Sequence, residues 1–471
     1  MQFTSLAFGG FMLAVFLLYW ALAPQKRWAA ALAASGIFYA FFGLPMLCVL
    51  CLCIAASYCG GLWLAQHRSR AALAVTMVCA LAPLVFFKYF NTVFPAVTGS
   101  AFRLFVPVGI SFYTFKIIAY LVEIWRGNLS AERHFGKYAL YVAFFPEVTS
   151  GPIQRPADLL GQIHAPKAFD CDAAIQSVQL ILWGLFQKMV IADTLSTYVS
   201  VGFQSVDFII GPSVVLAAVL YSVQLYCDFA GYSHIAIGCM GLFGYTVPAN
   251  FKSPYFSLSM KDFWSRWHIS LSSFLRDYVY FPLGGSRCGK LRHCANLMAV
   301  FLISGIWHGT GLQFIVWGAL HGIYQVVGTL TQNLRHAIWR LVHISEQSVF
   351  AKAVKMLITF SLVTAAWLFF GADDLSHALS LFARIPDSFA FNVQMFKNAV
   401  TMLTFSKLAF ARMVVCIGVL AAVDFKSRNC GFSAWCSRQK KPLQVIFCYA
   451  LLFAVLFLAP AGGGGFIYFQ F

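Results

Sequence analysis

Residues 4–23 read TSLAFGGFMLAVFLLYWALA, twenty positions without an acidic or basic side chain, and Lys26 and Arg27 follow shortly after. A helix rises about 1.5 Å per residue, so a run of this length matches about 30 Å of hydrocarbon. No basic stretch precedes it, so it is expected to stay as a helix rather than be removed as a signal peptide. Similar apolar runs recur at 28–43, 46–65, 71–94, 104–125, 138–149, 174–200, 208–230, 295–328, 352–371, 407–424 and 443–460. Lipid offers the backbone no hydrogen-bond partners, so such runs satisfy their N–H and C=O groups internally as helices. The expected fold is all-α and polytopic: one membrane-embedded domain over residues 1–471, with about ten to twelve spanning or re-entrant segments. The segments near 138–149 and 231–250 are too short or too rich in glycine to read as simple spans.

Composition agrees. Of 471 residues, 60% are hydrophobic, 17% aromatic and 10% charged, the last about half the share usual in soluble domains. The net charge of +17 comes from short basic clusters between apolar runs, a positive-inside pattern that argues for membrane lipids and against nucleic acid as the partner. A hairpin-like break at Gly43-Leu44-Pro45 then puts Lys26-Arg27 and His67-Arg68-Ser69-Arg70 together on the cytoplasmic side. Of the 14 cysteines, Cys48, Cys51, Cys53 and Cys79 sit inside apolar runs as small hydrophobes. Cys288 with Cys294, and Cys430 with Cys436, lack the C-x2-C spacing of a zinc site, so no metal is expected.

Residues 250–291 are the most polar part of the centre. Aromatic side chains such as Phe251, Tyr255, Trp264 and Trp267 alternate there with Lys252, Lys261, Arg266, Arg276 and Arg287. That mixture suits an interface or a cavity wall, with rings at headgroup depth and cationic heads in water. Lys252, Lys261, Arg266 and Arg276 could attract the phosphates of an anionic substrate, and each reads equally as a headgroup anchor.

Ionisable groups inside apolar runs are costly and point to function. His308 lies between apolar stretches in Ile306-Trp307-His308-Gly309-Thr310-Gly311, where the glycines permit a helix break. His321 follows thirteen residues on, about 140° around a continuous helix, so the two share a face only if the segment bends. A buried neutral imidazole can take the proton of a hydroxyl as that oxygen attacks a thioester, a task that suits His308. The alternative for His308 and His321 is a histidine bonded to a neighbouring helix. His268, in Trp267-His268-Ile269-Ser270, is a third candidate or else a solvated interfacial histidine. No G-x-S-x-G elbow, G-x-x-x-x-G-K-[ST] loop or G-x-G-x-x-G motif occurs, which counts against hydrolase and nucleotide-binding readings.

Four stretches in order resemble the signature of the bacterial branch of the membrane-bound O-acyltransferase superfamily that contains alginate O-acetyltransferase. They are Phe145-Pro146 through Gly151-Pro152-Ile153-Gln154-Arg155, then Tyr226 to Ser233 (YCDFAGYS), Asp262 to Ser272 (DFWSRWHISLS), and Trp307-His308-Gly309. The resemblance covers about residues 102–322 and weakens toward both ends. It implies tilted helices around a central tunnel, His308 as the catalytic histidine and His268 as the second polar position beside the tunnel. It further implies acetyl-CoA as donor substrate, a polysaccharide acceptor reached through a periplasmic acetyltransferase of the SGNH type, and a multi-pass place in the bacterial inner membrane. His234 departs from the pattern, since the family commonly has Ser-Asp where this chain has Ser233-His234.

The final residues 461–471 hold Gly462 to Gly465 and then Phe466-Ile467-Tyr468-Phe469-Gln470-Phe471. This end resembles the C-terminal motif of the small protein that accompanies the teichoic-acid D-alanyl transferase, which implies Tyr468 as an acyl carrier. The alternative is an aromatic-belt anchor for the last helix. Lys440 and Lys441 ahead of the final apolar run place its far end outside the cytoplasm. Two other function classes remain open: a transporter or flippase of a lipid-linked saccharide, which would call for internal symmetry or paired helix breaks that the sequence does not display, and a non-catalytic scaffold.

Overall fold

The computed structural model describes residues 1–93, 104–389, 392–460 and 465. Among these the regular secondary structure is all helical, with no strand. Among the described residues, seven helices are long and apolar enough to cross a membrane, and the pair Leu312–Leu330 and Gln332–Leu341, bent by 60°, would make an eighth span. Other apolar runs form shorter or partly charged helices, among them Leu6–Ala21 with 16 residues, Ile110–Arg126 with 17 and Lys290–His308 with 19. The protein is a polytopic all-α membrane protein. Its helices differ in what covers them: 83% of the apolar window of Gly211–Leu242 is enclosed by protein but only 11% of that of Lys441–Leu458, whose Phe453, Leu456 and Phe457 face outward.

The described residues form two compact units. The first comprises Met1–Leu182 and Tyr232–Ala249. Its helices begin where the local chemistry allows: Ser5 caps Leu6–Ala21 by accepting from the Phe8 N–H at 3.1 Å, and Gly43, at φ +119°, makes the expected turn ahead of Leu44–Gln66. Gly109, at φ +75°, starts Ile110–Arg126, and a Cβ there would lie 2.0 Å from the Val148 carbonyl oxygen, so no other residue fits. The segment near 138–149 folds as two short buried helices, Phe135–Ala143 and Phe145–Val148.

Residues 231–242 contradict the expectation that 231–250 is too glycine-rich for a regular span: they continue the 32-residue helix Gly211–Leu242 without a break. The physical reason is packing. A Cβ at Gly238 would sit 2.6 Å from Ile181 and 2.7 Å from the Ser177 carbonyl oxygen, and one at Gly241 2.3 Å from Ser177 Oγ. These glycines admit a neighbouring helix rather than ending their own.

The second unit comprises Trp183–Gly231 and Asn250–Phe471. The apolar run 295–328 divides there into Lys290–His308 and Leu312–Leu330, separated at Gly309-Thr310-Gly311 as the glycines suggested. The two helices approach through small residues. A Cβ at Gly305 would lie 2.3 Å from the Phe314 carbonyl oxygen, and one at Gly318 2.4 Å from that of Phe301.

Candidate active site

His308 is the last residue of Lys290–His308, and the backbone turns extended at Gly309, where a Cβ would strike the Phe314 ring at 2.1 Å. The break therefore holds the imidazole at a helix end, only 4% exposed. Its ring centroid is 4.6 Å from that of Trp307, 4.9 Å from Trp317 and 5.2 Å from Phe370, all edge-on. Trp317 also lies 4.8 Å from His321. The bend thus brings both histidines against one indole, which a continuous helix would not do. Trp264 Nε1 donates to His321 Nδ1 at 3.3 Å, which makes Nδ1 the acceptor and leaves the ring proton on Nε2 in the neutral form.

His268 reaches the same row from another element. It precedes Ile269–Leu275 in the left-handed region at φ +43°, a conformation that non-glycine residues adopt only when their surroundings enforce it. Asn250 enforces it here. Its carbonyl accepts from the Ile269 N–H at 2.9 Å, while its side-chain Oδ1 accepts from the Ser270 N–H at 3.1 Å and from Ser270 Oγ–H at 2.9 Å. The His268 ring stands 4.5 Å from Phe229 and 6.2 Å from Trp307. Burial pushes its pKa down to about 3, so it is a neutral imidazole at neutral pH. His268, Trp307, His308, Trp317 and His321 form an alternating row of imidazoles and indoles, with the three histidines between 0% and 4% exposed.

The four basic candidates divide. The Lys252 N–H donates to the Arg266 carbonyl at 3.0 Å and Arg266 Nη1 to the Lys252 carbonyl at 3.4 Å, so these two residues are neighbours. Arg266 is further tied to Asp262 at 2.7 Å and Arg276 to Asp277 at 2.8 Å, while Lys252 and Lys261 are exposed. His234 is half-buried on Gly211–Leu242, within the other unit. Tyr468 lies outside the described residues.

Sequence reasoning passed over the tryptophan walls and two groups of buried charge. Lys188 pairs with Asp193 at 2.7 Å and Asp228 at 2.5 Å in this unit, and Lys116 pairs with Glu147 at 3.1 Å in the first. The signal was present, since each lysine interrupts an apolar run, in Phe115-Lys116-Ile117 and Gln187-Lys188-Met189.

Residues 128–372 match the family model described as MBOAT, membrane-bound O-acyltransferase family. The chain belongs to this family. Relatives carry the same message: the chain is 34% identical over 391 residues to a probable alginate O-acetylase of Pseudomonas syringae, with 80% of this chain and 73% of the relative covered. It is 35% identical to the peptidoglycan O-acetyltransferase of Helicobacter pylori, covering 74% and 71%, and 32% identical to the teichoic acid D-alanyltransferase of Bacillus subtilis, covering 46% and 57%. As a membrane-bound O-acyltransferase, the chain holds three of the four signature stretches wholly or mainly in its second unit: most of the Tyr226–Ser233 run, the stretch around His268, and Trp307-His308-Gly309. The first stretch, with Glu147 and Gln154, belongs to the first unit.

Proposed function

We propose that this chain moves an acetyl group from cytoplasmic acetyl-CoA across the bacterial inner membrane, for O-acetylation of an extracytoplasmic polysaccharide such as alginate, cellulose or peptidoglycan. The observation that carries the reading is His308, buried at a glycine-broken helix end in a row of indoles and imidazoles. The names of the relatives support polysaccharide hydroxyls as the eventual acceptors. His308 takes the acceptor hydroxyl's proton as the oxygen bonds to the thioester carbonyl carbon; the C–S bond then breaks and the departing thiolate takes the proton back. His268 is the second polar group beside the reacting atoms. Lys252, Lys261, Arg266 and Arg276 draw in the CoA phosphates. Tyr468 is the first hydroxyl acylated, and a periplasmic acetyltransferase of the SGNH type takes the group onward.

The test is mass spectrometry of the C-terminal peptide after purified protein meets acetyl-CoA, with release of free CoA followed in parallel. An acetyl group on Tyr468 is expected in wild type and absent from Tyr468→Phe, and His308→Ala is expected to lower CoA release by about 10²–10⁴-fold. Undiminished release in His308→Ala would remove that histidine as the base. Release without acetylated Tyr468 would remove the tyrosine step alone.

A further inference from the structure

Lys188 sits in Phe186–Ala192, where the helix widens to i→i+5 pairing between Cys171–Leu185 and Asp193–Gln204. Widened turns of this kind concentrate at functional sites. The Lys188 side chain is 1% exposed, and its ammonium meets Asp193 Oδ1 at 2.7 Å and Asp228 Oδ1 at 2.5 Å. Asp228 comes this close because Gly231 allows it: a Cβ at Gly231 would lie 2.7 Å from the Gly184 carbonyl oxygen and 3.0 Å from Lys188 Cβ. An ammonium has three protons to place. The third contact comes from the far end of the chain, where the Gly465 carbonyl accepts from Lys188 Nζ at 3.1 Å across 277 residues of sequence.

Two carboxylates more than offset the lysine's charge, so the bond to a main-chain carbonyl does something besides neutralisation: it fixes backbone. Glycine loses more freedom on ordering than any other residue, and a charge-assisted bond in a buried setting is a strong way to hold it. Among the described residues, none has an atom within 4 Å of a Cβ placed at Gly465. The anchor also adjoins the candidate site, since Phe229, next to Asp228, has its ring 4.5 Å from that of His268.

We propose that Lys188, held by Asp193 and Asp228, is the docking point of the C-terminal segment and acts as a positioning residue by gripping Gly465. The task given to the chain end rests on the function proposed above: Tyr468 is three residues past the grip, a reach of at most about 11 Å. The docking itself stands without that task.

The test places a benzophenone amino acid at Phe466 in the full-length protein and maps the photo-cross-links by mass spectrometry. Adducts within residues 186–193 or 226–231 are expected. They are expected to fall about tenfold or more in Lys188→Met/Asp193→Asn/Asp228→Asn, which removes the ammonium without stranding buried carboxylates. Adducts confined to lipid or to other segments in wild type would overturn the proposal whether or not the variant folds, and so would an unchanged yield in a variant that elutes and melts like wild type. Cross-linking at the expected place without acetylation of Tyr468 would uphold the docking and end the carrier reading.

Discussion

Lys116 and Glu147 of the first unit meet at 3.1 Å with side chains 2% and 0% exposed, and their surroundings close around them: Gln154 Nε2 donates to Glu147 Oε1, Tyr141 Oη–H donates to the Lys116 carbonyl at 2.8 Å, and the ammonium lies over the Tyr141 ring. The histidine row of the second unit is equally buried but is walled by indoles and phenyl rings. A buried charge must be matched on the spot or it costs several kcal/mol, so the first arrangement is a lock. A neutral imidazole carries no such demand and keeps a basic nitrogen while sitting among hydrocarbon. Burial without charge is what a proton-transferring site can tolerate, and burial with paired charge is what a scaffold can use.

The largest effect expected from this contrast is in the lock. Lys116→Met strands Glu147 and should cost about 3–5 kcal/mol, whereas Lys116→Met/Glu147→Leu, which removes both charges, should recover most of it. Thermal unfolding of the purified protein in detergent reads the difference. Equal losses in the single and double variants would mean that packing, not charge matching, holds this centre.

A smaller effect sharpens the other side. Trp264→Phe keeps a ring beside His321 but removes the Nε1–H that donates to its Nδ1, a hydrogen bond worth about 1 kcal/mol. The nitrogen-15 shifts of a labelled His321 should then move as the tautomer loses its bias. If they stay put, something other than Trp264 orients that imidazole.

These centres also mark what the sequence made legible. The span pattern followed directly from run length, and the break at Gly309-Thr310-Gly311 followed from glycine chemistry, because both are local properties. That His308 and His321 would meet on Trp317 was beyond reach, since it depends on the direction the chain takes after the break. Gly238 and Gly241 misled because helix breaking and close helix packing ask for the same residue, and only the neighbour at Ser177 decides between them. Lys116 and Lys188 were visible as charges within apolar runs. Their partners were not, because Glu147, Asp193 and Asp228 reach them through tertiary packing.

The smallest effect comes from an ion pair nearer the surface of the first unit, which should behave unlike the lock. Glu132 Oε2 pairs with His164 Nε2 at 2.6 Å, its Oε1 accepts from the His134 N–H at 2.8 Å, and Lys137 Nζ lies 2.9 Å from His164 Nδ1. Burial alone would raise the Glu132 pKa, but the His164 bond, the His134 amide and the charges of His164 and Lys137 together bring it below the ordinary glutamate value. A carboxyl depressed in the folded state stabilises fully above its unfolded pKa, and that stabilisation fades as pH falls through the folded value. Wild type should therefore exceed Glu132→Gln by at most about 1 kcal/mol at pH 7, because solvent screens a partly exposed pair, and the gap should close below about pH 4. Melting curves of the two proteins from pH 7 to pH 3 measure it. A gap that persists at pH 3 would assign Glu132 a packing role, and a gap of several kcal/mol at pH 7 would erase the distinction between this surface pair and the buried one at Lys116.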